Sequence, residues 1–254
     1  MLAEERRGRI TQLIDEHGSA TISVLSETMN VSAMTIRRDI AYLASQGRVI
    51  KTHGGAVSIR ESTASEPGYE IKARVNVEEK RCIGMAAASM IDNGETIVLD
   101  SGSTTFQIAS NLKNKRNLTV VTNDLMIATS LGKMSSLSVL LIGGSIRPGV
   151  FSTVGPYAEE MLSQLSVDKV FLGADAVNAT KGVMNSNPEE VPIKRLMMSA
   201  GHRAILAVDH SKFKRIGLSF VCGVGDLDMI LTDKGIDDET FAALRDSGVE
   251  VTVC

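Results

Sequence analysis

Seven short, largely apolar runs recur across the last two thirds of the chain: TIVL (96–99), LTVV (118–121), SVLLI (138–142), KVFL (169–172), AILAV (204–208), MIL (229–231) and VEVTV (249–253). Helical patterns separate them. Strands that alternate with helices, and that are apolar rather than alternating, predict a mostly parallel sheet buried on both faces. The α/β region opens at Glu78, where VEEKRCIGMAAASMI puts Ile83, Ala87, Met90 and Ile91 on one side of a helix.

Polar and small residues follow the runs: Asp100-Ser101-Gly102, Thr122-Asn123-Asp124, Gly143-Gly144, Gly173-Ala174-Asp175, Asp209-His210 and Thr232-Asp233. In an open parallel sheet these positions share one edge, the carboxyl ends of the strands, where ligands bind. In DSGSTTFQIASNL, Gly102 permits a tight turn after Asp100 and Ser101, and Ser103, Thr104 and Thr105 open a helix. Hydroxyls and backbone N–H groups at a helix start suit a phosphate. No GK[ST] follows, so nucleotide hydrolysis is not expected. Asn123 and Gly144 belong to the same row of strand ends. Arg147, Lys194 and Lys212 are the basic residues able to complete a phosphate or sugar site, and each reads equally as a surface charge. Asp100, Asp175 and Glu190 offer acceptors to sugar hydroxyls.

The first sixty residues read differently. Ile10, Leu13 and Ile14 mark one helix ending at Gly18, and a second opens near Ser23 and buries Val24, Leu25, Thr28 and Met29. After a turn at Asn30-Val31, Ser32 is a good N-cap for a third helix, which Gly47 ends. On it Ile36, Ile40 and Leu43 lie within roughly 60° of one another at about 100° per residue. Thr35, Arg38 and Tyr42 fall on the opposite side, with Arg37 on the flank. RVIKTHGGAVSI then predicts a hairpin turning at His53-Gly54-Gly55. Helix-turn-helix plus hairpin is a winged arrangement: the third helix enters a major groove and the hairpin lies along phosphates. The DNA-facing candidates are therefore Ser32, Thr35, Arg37, Arg38, Tyr42, Lys51, His53 and Gly54.

Charge agrees with that division. The chain carries a formal net charge of −3, yet residues 1–60 hold 8 Lys/Arg against 6 Asp/Glu. Local positive charge is enough for duplex DNA, whatever the total. Ser58 to Val77 loses periodicity and reads as a linker, giving three segments: 1–57, 58–77 and 78–254. No apolar run reaches the 18 residues of a membrane span, and the charged start MLAEERRGRI is no signal peptide, so a cytoplasmic protein is expected. Cys82, Cys222 and Cys254 are odd in number and far apart, which argues against a disulfide framework, and neither they nor the four histidines have metal-ligand spacing. No cofactor or metal is expected.

Residues 6–57, with TIRRD at 35–39 and HGGA at 53–56, resemble the DNA-binding domain of DeoR-family bacterial transcriptional regulators. Residues 78–254 resemble that family's sensor domain through DSGSTT, VTND, GG, GAD and DHSKF, a fold similar to ribose-5-phosphate isomerase. The resemblance implies a regulator of a carbohydrate operon, a repressor relieved by a phosphorylated sugar or polyol, working as a homodimer or homotetramer on operator DNA. Its implied effector residues are Asp100 through Thr105 and, more weakly, Asn123, Asp175 and Lys212. The alternative is an active aldose–ketose isomerase carrying a DNA-binding appendage. Against it, the isomerases' DGAD motif has Leu172 at its first aspartate here, and their KGGGG loop reads Lys181-Gly182-Val183-Met184. No catalytic residue is expected.

Overall fold

The computed structural model describes residues 2–46, 48–52, 54–58 and 66–254. His53 and Gly47, a candidate DNA contact and a candidate helix end, lie outside the described residues. Contacts divide the chain into two units, Met1–Val75 and Asn76–Cys254.

The first unit runs α1 (Ala3–His17), β1 (Ser19–Thr21), α2 (Ile22–Met29), α3 (Ala33–Ser45), β2 (Val49–Lys51), β3 (Gly55–Ser58) and α4 (Tyr69–Lys72). Gly18 and Asn30 stop α1 and α2 in the left-handed conformation, and the Ser32 hydroxyl caps α3 by accepting from the Thr35 N–H at 3.3 Å. Ile10, Ile14, Leu25, Ile36, Ile40 and Leu43 form the core. Val24 and Thr28 are exposed rather than buried: with Thr21 capping α2, Leu25 and Met29 are the buried residues of that helix and Ile22 packs against them partly buried. The hairpin β2–β3 is antiparallel, and β1 adds a third strand to it, in the order β1-β3-β2. That strand is too short to show in sequence. Residues 66–75, expected within a linker, contain α4 with Tyr69 buried.

The second unit opens with α5 (Val77–Ser89), β4 (Thr96–Leu99), α6 (Ser103–Ser110), β5 (Leu118–Thr122), α7 (Leu125–Leu131) and β6 (Leu137–Leu141). A small hairpin, β7 (Ser145–Ile146) and β8 (Thr153–Val154), precedes α8 (Pro156–Ser163) and β9 (Val167–Leu172). Then come β10 (Ala176–Asn178), β11 (Gly182–Asn185), α9 (Glu190–Ala200), β12 (Gly201–Ala207), β13 (Ser219–Cys222), β14 (Met229–Thr232), α10 (Asp238–Asp246) and β15 (Glu250–Val253). The seven apolar runs form one parallel sheet, β15-β14-β12-β9-β4-β5-β6. Alternate side chains sort to its two faces. Ile97, Leu99 and Phe171 pack with α5, α6 and α7, while Val98, Val170 and Leu172 pack with α8 and α9. Edge strand β6 departs from the expectation of burial on both faces, for Leu140 and Leu141 are exposed. β10, β11 and β13 make a separate antiparallel sheet.

One expectation is overturned outright. Cys82 in α5 and Cys254 after β15 are joined as a disulfide, their Cα atoms 5.9 Å apart across a sequence separation of 172. Distance along the chain says nothing about distance in a fold whose last strand returns beside its first helix. Cys222 is free and buried.

Candidate functional site

In the first unit the candidate DNA-facing surface is the outer face of α3. Arg37 and Arg38 are both exposed, and neither makes an ion pair among the described residues. The nearest acid in sequence, Asp39, is taken out of their reach: it is 2% exposed and receives Arg6 Nε at 2.6 Å and Arg7 Nε at 2.8 Å. Burying the aspartate against two arginines of α1 leaves the α3 pair unneutralised, which is what a groove-reading helix needs. Tyr42 is half exposed and carries the Arg7 guanidinium 3.8 Å from its ring centre. Thr35 shares a 3.0 Å hydrogen bond with the Ser32 hydroxyl. Lys51 is exposed at the end of β2, and Gly54 lies in the hairpin turn.

In the second unit, strand order brings the candidate effector residues together. From β4 the chain builds β5 and β6 on one side, then returns to place β9 on the other. The crevice at such a switch point is where α/β sheets bind ligands. Asp100 ends β4 and Gly173 ends β9, and the Gly173 N–H donates to Asp100 Oδ2 at 2.9 Å across that crevice. Lys194, from α9, meets the same carboxylate oxygen and also donates to the Gly173 carbonyl at 3.0 Å. Burial pulls the Lys194 ammonium down, but Asp100, Glu190 and Asp175 together outweigh it and hold its pKa above the ordinary lysine value.

A second buried knot adjoins the first. Glu190 Oε1 accepts from Arg147 Nη1 at 2.5 Å and from the Ser152 hydroxyl at 3.0 Å, and Glu190 Oε2 accepts from Asn185 Nδ2 at 2.6 Å. Asp175 Oδ2 receives the Ser186 N–H at 3.0 Å. Among the described residues two acceptors here have no partner: Oδ1 of Asn185 and Oδ1 of Asn123, whose Nδ2 donates to the Thr153 carbonyl at 3.1 Å. A buried acceptor without a donor costs on the order of 1–3 kcal/mol, so each calls for a donor from outside the chain.

The start of α6 completes the arrangement. No side chain caps it. The Thr105 hydroxyl is turned onto the Gly102 carbonyl at 2.9 Å, whereas those of Ser101, Ser103 and Thr104 make no hydrogen bond among the described residues. Beside them Asp124 caps α7 through Met126 and Ile127 and accepts from the Gly102 N–H at 3.1 Å. Burial raises the Asp124 pKa to about 6, against the three backbone donors that pull it down.

Arg147 and Lys194, expected as open cations, are thus each committed to a carboxylate. Gly144 lines a packing contact: a Cβ there would lie 2.6 Å from the Val154 carbonyl oxygen. Lys212 sits elsewhere, in a group with Lys80, Asn76 and Asp209. Burial would raise the Asp209 pKa, yet Lys212 and Lys80 and the bonds from Ser211 and Asn76 bring it below normal. Asn185 and Ser152 join the cluster without a signal in the sequence. Asp124 stands in VTND as a strand-end residue, whereas Ser152 and Asn185 belong to short antiparallel strands and loops that carry no periodic signal.

Family models match both units: a DeoR-like helix-turn-helix domain over residues 6–62 and a DeoR C terminal sensor domain over residues 75–234. A protein of Escherichia coli O157:H7 named as an aga operon transcriptional repressor is 36% identical over 97% of this chain and 92% of its own length. The transcriptional repressor AccR of Agrobacterium fabrum is 34% identical, covering 91% of this chain and 90% of that one. The glycerol-3-phosphate regulon repressor of Escherichia coli K12 is 30% identical over 100% of both. Among solved structures, ribose 5-phosphate isomerase from Plasmodium falciparum overlaps 55% of this chain and 54% of its own, at 17% identity and a TM-score of 0.39. A likeness that partial carries no argument about chemistry.

Proposed function

The chain belongs to the DeoR family of DNA-binding transcriptional regulators, and from that premise we propose that it represses a carbohydrate catabolic operon and is relieved by a phosphorylated sugar or polyol. The observation that carries the effector half of this reading is the switch-point cluster. Two buried amide oxygens, of Asn123 and Asn185, lack donors beside an uncapped helix start with three open hydroxyls. A polyol supplies hydroxyl donors to the first, and a phosphate accepts from the second. The relative named for the glycerol-3-phosphate regulon fits the same class of ligand. Asp100, Ser101, Gly102, Ser103, Thr104, Asn123, Asp175, Glu190 and Lys194 are the proposed contacts.

On DNA, Arg37 and Arg38 read the groove from α3, with Ser32, Thr35 and Tyr42 beside them, while Lys51 and Gly54 follow the backbone. One winged module buries little DNA, so two or more copies of the chain, as a dimer or tetramer, read repeated half-sites in the cytoplasm. The effector acts only through its differential affinity for the assembly that fits the operator, with coupling of about 1–3 kcal/mol typical. We propose no catalysis: Glu190 accepts from Arg147, Ser152 and Asn185, and Asp100 is paired to Lys194, which leaves neither carboxylate free as a general base.

A thermal-shift screen of phosphorylated sugars and polyols tests the reading, since a ligand selective for the folded state raises the Tm by mass action. The expected hit raises the Tm of the wild type and releases it from operator DNA, and Thr104→Val binds the operator yet loses both responses. An unchanged response in Thr104→Val would remove the phosphate from the α6 start.

A further inference from the structure

The HGGA motif contains two adjacent glycines, and the structure gives each a separate cause. At Gly55 a Cβ would lie 2.0 Å from the Ala20 carbonyl oxygen, because β3 runs hard against β1. This glycine is a packing requirement of the three-stranded sheet. At Gly54 the obstacle is a side chain: a Cβ there would sit 2.6 Å from Nη1 of Arg74. The turn is held by Ile22 N–H donating to the Gly54 carbonyl at 2.8 Å and Thr52 N–H to the Gly55 carbonyl at 3.0 Å. Beside that turn, Glu70, Ile71 and Arg74 line a small cavity together with Gly54 and Gly55. Tyr69 is buried, the Lys72 ammonium pairs with Glu66 at 2.8 Å, and Arg74, just past α4, brings its guanidinium against Gly54.

Arg74 is exposed, and its guanidinium makes no hydrogen bond or ion pair among the described residues. Glu70, which lines the same small cavity beside the wing turn, does not pair with it. Arg48 and Lys51 on the hairpin are likewise exposed. A guanidinium parked over the tip of a wing, with no acid to satisfy it, has the chemistry to bond phosphate oxygens. Arg74 falls between the two family matches, which end at residue 62 and resume at residue 75.

We propose that Arg74 is a DNA-backbone contact of the wing, its guanidinium taking the place beside Gly54 that a Cβ there would crowd. The segment after the hairpin is then part of the reading head. This inference rests on the winged unit docking on duplex DNA as described above.

The test measures binding of the full-length chain to a mixed-sequence 30-base-pair duplex by fluorescence anisotropy over a range of KCl concentrations. Each phosphate contact adds about 0.9 to the slope of log K against log salt. Arg74→Gln should flatten the slope by about that amount and weaken binding about eightfold at 0.1 M salt, with the Tm unchanged. Arg74→Lys, which keeps the charge, should retain the wild-type slope. Gly54→Ala should weaken binding in the wild type and do nothing further in Arg74→Gln, because its effect runs through the displaced guanidinium. The proposal is overturned by a wild-type slope in Arg74→Gln, by equal losses in the Gln and Lys variants, or by additive effects of Gly54→Ala and Arg74→Gln. The Arg37→Gln/Arg38→Gln double variant separates the two levels: if it binds as wild type, the docking of α3 fails, whatever Arg74 does.

Discussion

The two units handle charge in opposite ways. On α3, Arg37 and Arg38 stand in solvent with their neighbouring acid buried elsewhere. At the switch point, Lys194 and Arg147 are buried and each is bound to a carboxylate. A polyanion too large to be enclosed has to be met by solvated, unpaired cations, and such contacts are salt-sensitive and contribute nothing to folding. On the proposed reading, a small ligand meets groups that already satisfy one another, and it engages what the pairs leave over, the open hydroxyls and the orphan amide oxygens. Function sits on top of stability in one unit and inside it in the other.

That contrast is most exposed at Lys194. Lys194→Met leaves the Asp100 carboxylate buried without its partner and should cost about 3–5 kcal/mol of stability, read from urea unfolding. A wild-type midpoint would mean the pair is not the buried strut that the contrast requires.

Asp124 sharpens the same point through pH. Its pKa rises from 3.8 unfolded to about 6 folded. Between those values the folded chain keeps a proton that the unfolded chain has lost, so this group makes stability fall as pH rises from about 4 to 6. The change amounts to about 3 kcal/mol at most. Asp209, whose pKa is lowered, acts below that window and in the opposite sense, its stabilisation being lost as pH drops under 3.8. Asp124→Asn should flatten the dependence of Tm on pH between 4 and 6. An unchanged slope would show that another group titrates there.

The smallest effect on folding belongs to the exposed face. Arg38→Ala should weaken operator binding by about 1–3 kcal/mol in a gel shift, while moving stability by no more than about 0.5 kcal/mol. A variant that lost stability without losing DNA would reverse the comparison.

The legibility of the two units follows the same divide. The α3 surface could be read from TIRRD because exposure on a helix follows from a period of 3.6 and needs no knowledge of other elements. Even so, it took α1 to show that Asp39 belongs to Arg6 and Arg7 rather than to Arg38. In the larger unit, Asp100, Asp175, Glu190 and Lys194 stand out in sequence as chemistry near strand ends. That Lys194 reaches Asp100, while Lys212 joins a different group around Asp209, could not be read from spacing. Asn185 and Ser152 gave no periodic signal at all, lying at the end of a four-residue strand and beside a two-residue one.

Local pattern by itself determined the seven central strands and the longer helices, their sorting into a winged head and an α/β body, and the family, since each is set by neighbours a few residues apart. Only the tertiary structure decided the strand order that sets β4 beside β9, the pairing that neutralises the cations at their ends, the two amide oxygens left wanting donors, and the link from Cys82 to Cys254. Those depend on which distant segments meet, and a buried charge or orphan acceptor is defined by what meets it rather than by what precedes it in the chain.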